Sequence, residues 1–380
     1  MTSEVFLAIL PEDVRGITKI MNKLIEKKIL VALTGGGTAG HVIPHLALLP
    51  EFRKKGWDVT YIGSNSIEKE LAINAGLDFY EISAGKLRRY ISFRNFFDLF
   101  KVLLGFFQSL MFLLKKRPDI LFSKGGFVSV PVALAAWILK IPVISHESDI
   151  TPGLANKVIA LFATKILCSF PETTRYLRNK NSFYVGSVVR QELFDGTKDV
   201  ALSLCGFSKE DHPSVILVIG GSSGALRIND ALLTTLPDLV KRFRVIHITG
   251  KGKGIDFAHP RYKAFDYVRD ELKDLFALAD FIVARSGSNS IFEFLALRKP
   301  MLLIPLEIGS RGDQVLNALS FSEKGWAHIL RETALTKDSL LREINHLVEN
   351  AASIRTQQQK FTVEDVCTKI FAHIEEVLKV

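Results

Sequence analysis

Three short segments of this chain place glycines and small polar side chains directly after an apolar run. Thr34-Gly-Gly-Gly-Thr-Ala-Gly-His41 follows Ile29–Leu33, Gly220-Gly-Ser-Ser-Gly-Ala225 follows Val215–Ile219, and Arg285-Ser-Gly-Ser-Asn-Ser290 follows Phe281–Ala284. Glycines at such a turn let the backbone approach a ligand closely. If a helix starts next, its free N–H groups and dipole favour an anion. The first loop is not a P-loop, because no Gly-Lys-Ser/Thr follows, and its glycines do not read GxGxxG. A tight turn serving only packing is the competing reading. Thr38 and His41, polar groups at the helix entrance, favour a ligand loop.

In the third loop Ser288 or Asn289 is placed to cap the following helix, leaving its first N–H groups for an anion such as a diphosphate. Glu293 lies near the end of the first turn. Two readings of it stand side by side. One is an acid that complements the helix dipole; the other is a carboxylate accepting hydrogen bonds from two adjacent ribose hydroxyls. The chain contains no D-x-D pair to hold a metal on a nucleotide-sugar diphosphate. A metal-independent anion site is the expectation.

These loops need a scaffold, and the flanking residues describe one. Ile29–Leu33, Asp58–Ile62, Ile120–Phe122 and Pro142–Ser145 read as strands, with helices over Pro44–Lys55 and Ser129–Leu139. The pattern restarts after Pro213, with strands at Val215–Ile219, Arg244–Ile248, Lys263–Tyr267, Phe281–Ala284 and Met301–Ile304. Strands separated by helices predict a parallel sheet covered on both faces. The fold class is therefore α/β, with two Rossmann-like, doubly wound domains facing a cleft. Residues 1–27 form an arm with a short helix around Val14–Lys27. An N-terminal domain spans 28–187 and a C-terminal domain 188–380, whose last helix is placed to pack back on the N-terminal domain.

The length of 380 residues suits two domains, and 48% hydrophobic with 23% charged residues is a globular composition. The three cysteines lie far apart with no CxxC spacing, against a disulfide framework or a zinc site. The start carries no basic n-region, so no signal peptide is expected and the protein should remain in the cytoplasm. A net charge of +9 would suit nucleic acid, an anionic membrane surface or a phosphorylated substrate.

Six blocks in order carry a resemblance: Gly35–His41, Lys124-Gly-Gly-Phe-Val-Ser-Val-Pro131, His146-Glu-Ser-Asp-Ile-Thr-Pro-Gly-Leu-Ala-Asn156, Gly220–Ala225, Arg285–Glu293 and Gly312-Asp-Gln-Val-Leu-Asn-Ala318. Together they resemble the MurG family of peptidoglycan N-acetylglucosaminyltransferases (glycosyltransferase family 28), from about residue 28 to the last forty or so residues. The resemblance implies a GT-B fold and an inverting hexosyl transfer without cofactor or metal. N-acetylglucosamine would pass from UDP-N-acetylglucosamine to the muramoyl 4-hydroxyl of lipid I (undecaprenyl-diphospho-muramoyl-pentapeptide), giving lipid II. The implied partners are those two substrates and an anionic membrane surface, with no nucleic acid. The implied place is the cytoplasmic side of the cell membrane, held peripherally.

The resemblance also implies site residues. Ser222 and Ser223 would meet the phosphates or sugar, Glu293 the ribose, and Gln314 and Asn317 the sugar. Backbone around Val268–Arg269 would read the uracil, and Arg190 would sit near the donor at the hinge. Thr38, Gly40, His41, Asp149 and Asn156 would line the acceptor side and the donor's approach. The attacking hydroxyl needs a base, for which His41 is the natural candidate, with His146 and Asp149 as rivals. Glu147 would orient a neighbour or tie its loop down. Three differences stand out: Asp149 where the family often has asparagine, Asp313-Gln314 where it has two glutamines, and Gly186-Ser-Val-Val-Arg190 for Gly-Asn-Pro-Val-Arg. A carboxylate at 149 could act as a base where an amide could not.

One segment remains. Lys86, Arg88, Arg89 and Arg94 precede a Phe- and Leu-rich run from Phe96, Phe97 and Phe100 to Leu114, closed by Lys115-Lys-Arg117. Asp98, Lys101 and Gln108 interrupt the run, which argues against a spanning helix. One or two helices with an exposed apolar face, meeting lipid head groups through the basic residues, is the expectation. An ordinary core helix is the competing reading. Rival functions are a diacylglycerol glucosyltransferase of the same fold and a UDP-N-acetylglucosamine 2-epimerase, which needs no membrane face.

Overall fold

A computed structural model describes residues 28–85, 93–177, 181–220, 224–308, 311–362 and 366–379, with side chains from residue 100 onward in the helix that starts at Phe93. The expected arm over 1–27 lies outside the described residues.

Two parallel sheets form the frame. The first comprises β1 (Leu30–Gly35), β2 (Asp58–Gly63), β3 (Asp78–Glu81), β4 (Ile120–Gly125), β5 (Val143–Glu147), β6 (Lys165–Cys168) and β7 (Ser182–Tyr184), in the order β3-β2-β1-β4-β5-β6-β7. The second comprises β8 (Val215–Ile219), β9 (Arg244–Ile248), β10 (Tyr262–Phe265), β11 (Phe281–Ala284), β12 (Met301–Leu303) and β13 (His328–Ile329), in the order β10-β9-β8-β11-β12-β13. Both are the doubly wound α/β arrangement expected from the alternation. In each sheet the order reverses next to the first strand, between β1 and β4 and between β8 and β11. Such a switch point opens a crevice at the carboxyl ends of the strands, and each glycine loop described above leaves a strand beside one.

The central strands are apolar on both faces, as sheets covered by helices require. Val31, Leu33, Phe122 and Ile144 join one core layer of the first sheet, while Ala32, Leu121, Val143 and Ile166 join the other. The strands β3, β6, β7 and β13 were not anticipated. They are short and include charged or polar residues, so neither alternation nor an apolar run marks them.

The helix Val366–Leu378 returns to the first sheet's core, where Ile370, Phe371 and Ile374 pack with Phe52 and Val31. The Phe52 and Phe371 rings lie 4.7 Å apart, and Lys55 pairs with Glu375 at 2.6 Å.

The Phe-rich segment forms one helix, Phe93–Lys116. Gly105 lets it press against the chain, for a Cβ there would lie 2.0 Å from the Ser83 carbonyl oxygen. Ser109, Phe112 and Leu113 are buried on this inner side, and Gln108 accepts the Ser83 N–H at 2.7 Å. Phe100, Leu103, Leu104, Phe107, Met111 and Leu114 recur at helical spacing on the other side and are exposed, Phe107 by 57% and Met111 by 65%. Lys86, Arg88 and Arg89 lie outside the described residues, as do the side chains of Arg94, Phe96 and Phe97. Among the described residues no helix is long and apolar enough to cross a membrane.

Candidate active site

A cleft of about 1220 Å³ separates the two sheets. From the first sheet it is lined by Thr38, Gly40, His41, Lys124 and Asp149; from the second and the connection between them, by Arg190, Val268, Glu293, Arg311 and Gln314.

The first glycine loop is shaped from below. Glu68, fully buried, accepts the Gly37 N–H at 3.3 Å and the Ser64 N–H at 3.2 Å. A Cβ on Gly36 would lie 2.5 Å from the Glu68 carboxylate, and one on Gly126 2.3 Å from the Gly36 carbonyl oxygen. The glycines therefore serve close packing as well as ligand access. The loop ends in a single 3-10 turn, Ala39–His41, before the helix Ile43–Lys54. Thr38 Oγ1 lies 3.0 Å from His41 Nδ1, which fixes the ring and leaves Nε2 outside that contact. Burial, then the Lys124 charge, lowers the His41 pKa to about 4, while Asp149 acts in the opposite sense. The ring is thus neutral at physiological pH.

Asp149 sits where the two domains meet. It accepts Asn317 Nδ2 at 3.0 Å and Arg311 Nη2 at 3.3 Å. Burial, then the Glu147 charge, raises its pKa to about 6. Glu147 ties the loop down, accepting the Asp149 N–H at 2.9 Å, the Gly153 N–H at 2.9 Å and Asn156 Nδ2 at 2.8 Å.

Two residues expected at the ligand are structural struts instead. Asn156 is buried between Ser145 and Glu147, beneath Gly125, and does not line the cleft. Asn317 is 0% exposed: its Oδ1 accepts the Ile150 N–H at 3.2 Å, and its Nδ2 donates to Asp149 and to the Ser286 carbonyl. Both amides have hydrogen-bonding capacity that the sequence pattern could not distinguish from ligand contacts. His146, a rival base, is also fully buried. Lys124 Nζ lies 2.9 Å from its Nδ1, and its Nε2 lies 3.2 Å from the Gly186 carbonyl oxygen. A lysine ammonium only donates, so Nδ1 accepts and Nε2–H faces Gly186. Both nitrogens are spent away from the cleft.

In the second domain, the helix Ser288–Ala296 begins after Gly287 with no side-chain cap. Neither Ser288 nor Asn289 fills that role. Asn289 instead crosses the cleft, donating to the Gly40 carbonyl at 2.8 Å. Glu293, 7% exposed, holds Arg190. Gln314 Oε1 accepts the Leu306 N–H at 3.0 Å. Ser222 and Ser223 lie outside the described residues, but Gly220 and Gly224 border a smaller recess of about 280 Å³ with Gly287, Ser290 and Gln314. Among the described residues, His328, Glu343 and His346 bring ligand atoms within 4.8 Å of one another, but none of them lines the cleft.

Residues 31–168 match the glycosyltransferase family 28 N-terminal domain, and residues 215–370 match its C-terminal domain. The chain belongs to glycosyltransferase family 28. It is 49% identical over 350 residues to the UDP-N-acetylglucosamine–N-acetylmuramyl-(pentapeptide) pyrophosphoryl-undecaprenol N-acetylglucosamine transferase of Lachnospira eligens, covering 91% of this chain and 98% of that one. The Geobacillus thermodenitrificans protein of the same name is 47% identical over 361 residues, covering 93% and 100%. Among solved structures, MurG of Acinetobacter baumannii superposes with a TM-score of 0.70 at 21% identity, covering 92% of this chain and 100% of that one. That likeness is one of fold, and the fold is GT-B.

In and beneath this family 28 cleft, the structure adds three residues to those named from the sequence. Lys124 opens the Lys124-Gly-Gly-Phe-Val-Ser-Val-Pro131 block, whose glycines draw attention away from it. Arg311 precedes another and faces Asp149. Glu68 lies in no motif, and only the packing of Gly36 reveals it.

Proposed function

We propose that this family 28 chain transfers N-acetylglucosamine from UDP-N-acetylglucosamine to the muramoyl 4-hydroxyl of lipid I, with inversion, at the membrane surface. The observation that carries the reading is one cleft in which Thr38 and His41 of the first sheet face Val268, Glu293 and Gln314 of the second. The names of the relatives supply the donor and the acceptor.

The donor lies against the second domain. Its ribose hydroxyls donate to Glu293, its uracil meets the backbone at Val268, and its diphosphate meets the uncapped N-terminus of Ser288–Ala296. The acceptor enters over the first glycine loop. Its 4-oxygen attacks the anomeric carbon while the bond to the diphosphate oxygen breaks on the opposite face. The hydroxyl proton passes to His41 Nε2. Asp149, within electrostatic reach, stabilises the imidazolium that forms. The departing charge on UDP is met by the helix N-terminus, with no metal required of a chain that lacks a D-x-D pair.

The exposed stripe Phe100, Leu103, Leu104, Phe107, Met111 and Leu114 is the membrane-facing surface. Lys101, Lys115, Lys116 and Arg117, all exposed, supply the charge that draws it to anionic lipid. A polyprenyl-linked acceptor is held in the bilayer, so this surface brings the cleft to it.

The decisive assay measures UDP release from UDP-N-acetylglucosamine with and without a lipid I analogue. Acceptor-dependent release supports the reading; release with diacylglycerol and none with the analogue rejects it. Epimerisation of the donor without acceptor would also overturn it.

A further inference from the structure

The second domain carries a group of metal-ligating side chains that the transfer does not use. His328 lies on β13, the edge strand of the second sheet, opposite Leu302 of β12. Glu343 and His346 stand three residues apart on the helix Lys337–Glu349, so both project from one side of it. That helix is firmly seated. Thr336 caps its start by accepting the Ser339 N–H, and Leu340, Ile344 and Leu347 are buried in the core with Leu330, which follows β13. Two ligands on a fixed helix thus meet a third on the sheet edge.

One ligand atom from each residue lies within 4.8 Å of those of the other two. The His328 and His346 ring centroids are 4.4 Å apart, and His346 Nδ1 lies 3.9 Å from Glu343 Oε2. Ligand atoms on one tetrahedral zinc stand about 3.3 Å apart, given bonds of roughly 2.0–2.1 Å. Small side-chain rotations would therefore close the three groups on an ion. A stacked imidazole pair beside a surface carboxylate would need no ion, and Glu343 does have Arg342 Nε at 3.3 Å. His328 tells against that simpler arrangement. Its Nδ1 is buried and has no hydrogen-bond partner among the described residues. Buried ring nitrogens are normally satisfied, and an orphan calls for a bound ion or water.

We propose that His328, Glu343 and His346 form a zinc-class metal site that clips β13 to the helix Lys337–Glu349. Two imidazoles and one carboxylate suit zinc, cobalt or nickel, whereas magnesium and calcium take oxygen ligands. Three protein ligands leave a fourth position, which water can reach because 57% of the His346 side chain is exposed. None of the three residues lines the cleft, so the ion has no part in the transfer and the inference does not rest on the proposed reaction. Its consequence is for the fold. β13 spans only His328–Ile329 and hydrogen-bonds on one side alone. An ion held jointly by strand and helix ties down that edge, and stabilises the folded state that assembles its ligands.

The test titrates zinc chloride into the full chain, free of any affinity tag and stripped with a chelator, and reads calorimetry and Tm. Wild type should bind a single equivalent of zinc and melt at a higher temperature with it, while magnesium chloride does neither. Cobalt chloride should give the visible absorption of a four-coordinate ion. The chain has nine histidines, so variants must locate the site. His346→Ala and Glu343→Gln should each weaken zinc binding at least about tenfold and cancel the rise in Tm. The His346 side chain is largely exposed, so His346→Ala should keep the fold, checked by near-UV circular dichroism. Should Glu343→Gln not fold, His346→Ala alone carries the comparison. No zinc binding overturns the proposal. So does binding that the variants leave unchanged, an adventitious ion only, and so does binding that leaves Tm where it was. No transfer activity enters these readouts, so their failure leaves the functional reading standing, and the reverse holds too.

Discussion

Arg190 holds Glu293 by two parallel hydrogen bonds, Nε to Oε1 at 2.7 Å and Nη2 to Oε2 at 3.1 Å. Arg190 comes from the connection between the sheets and Glu293 from the helix Ser288–Ala296, which lines the cleft. The pair fixes the carboxylate plane while leaving each oxygen a second lone pair for a ribose hydroxyl. Glu293→Ala should weaken UDP binding by at least about tenfold, since hydrogen bonds to a charged acceptor contribute roughly 1.5–3 kcal/mol. Calorimetric titration with UDP checks this, and an unchanged Kd argues against the ribose contact.

Arg190→Ala should act on the fold as well. It strands a nearly buried carboxylate, a loss on the order of 3 kcal/mol for a pair of this burial. Urea unfolding should show it. Arg190→Ala combined with Glu293→Gln should recover part of the stability, because no charge is then left unpaired.

His41→Ala should cut kcat by roughly 10²–10⁴-fold, the usual worth of a positioned general base, with the UDP Kd little changed. Asp149→Asn should cut kcat less, because the amide cannot steady the imidazolium but still meets Asn317. Steady-state kinetics with a lipid I analogue separates the two. Equal kcat for His41→Ala and wild type removes His41 from the role.

Lys124 also makes stability depend on pH. Its folded pKa, about 7, lies below the ordinary lysine value of 10.5 because burial strips the charge of hydration. The folded state therefore binds that proton less well than the unfolded chain does. The resulting penalty is present in full below pH 7 and fades as pH rises toward 10.5. Lys124→Met should raise Tm over wild type most at and below neutral pH, with the gap narrowing in alkali. A gap independent of pH would mean that the gain is one of packing alone.

On the exposed stripe, Phe107→Glu with Met111→Glu should abolish co-sedimentation with anionic vesicles while UDP binding persists. Both side chains are exposed on the outer stripe, so the fold loses little. Undiminished vesicle binding would locate the contact elsewhere.

Gly126→Ala should destabilise the fold by about 1–3 kcal/mol. The residue has a φ of +83°, and a Cβ would lie 2.3 Å from the Gly36 carbonyl oxygen. Thermal melting reads the loss.

Much of this protein is local and was legible in the chain. Apolar runs ending in glycine mark β1, β8 and β11, and Val215–Ile219, Arg244–Ile248 and Phe281–Ala284 coincide with the observed strands. A buried parallel strand must be apolar on both faces, and a loop that crowds a helix start must lack Cβ atoms. Those constraints act within a few residues, so the two α/β domains and their glycine turns follow from sequence alone.

Tertiary structure decided which polar side chains face the cleft. Asn156 and Asn317 look like ligand contacts in a motif, but each amide is consumed by partners that only folding brings near, Asn317 by residues more than one hundred positions away. Lys124 read as part of a glycine motif, and its meaning came from Gly35, His146 and Ser148 closing around it. Hydrogen bonding and desolvation depend on what surrounds an atom in space. Sequence spacing reports only what precedes and follows it.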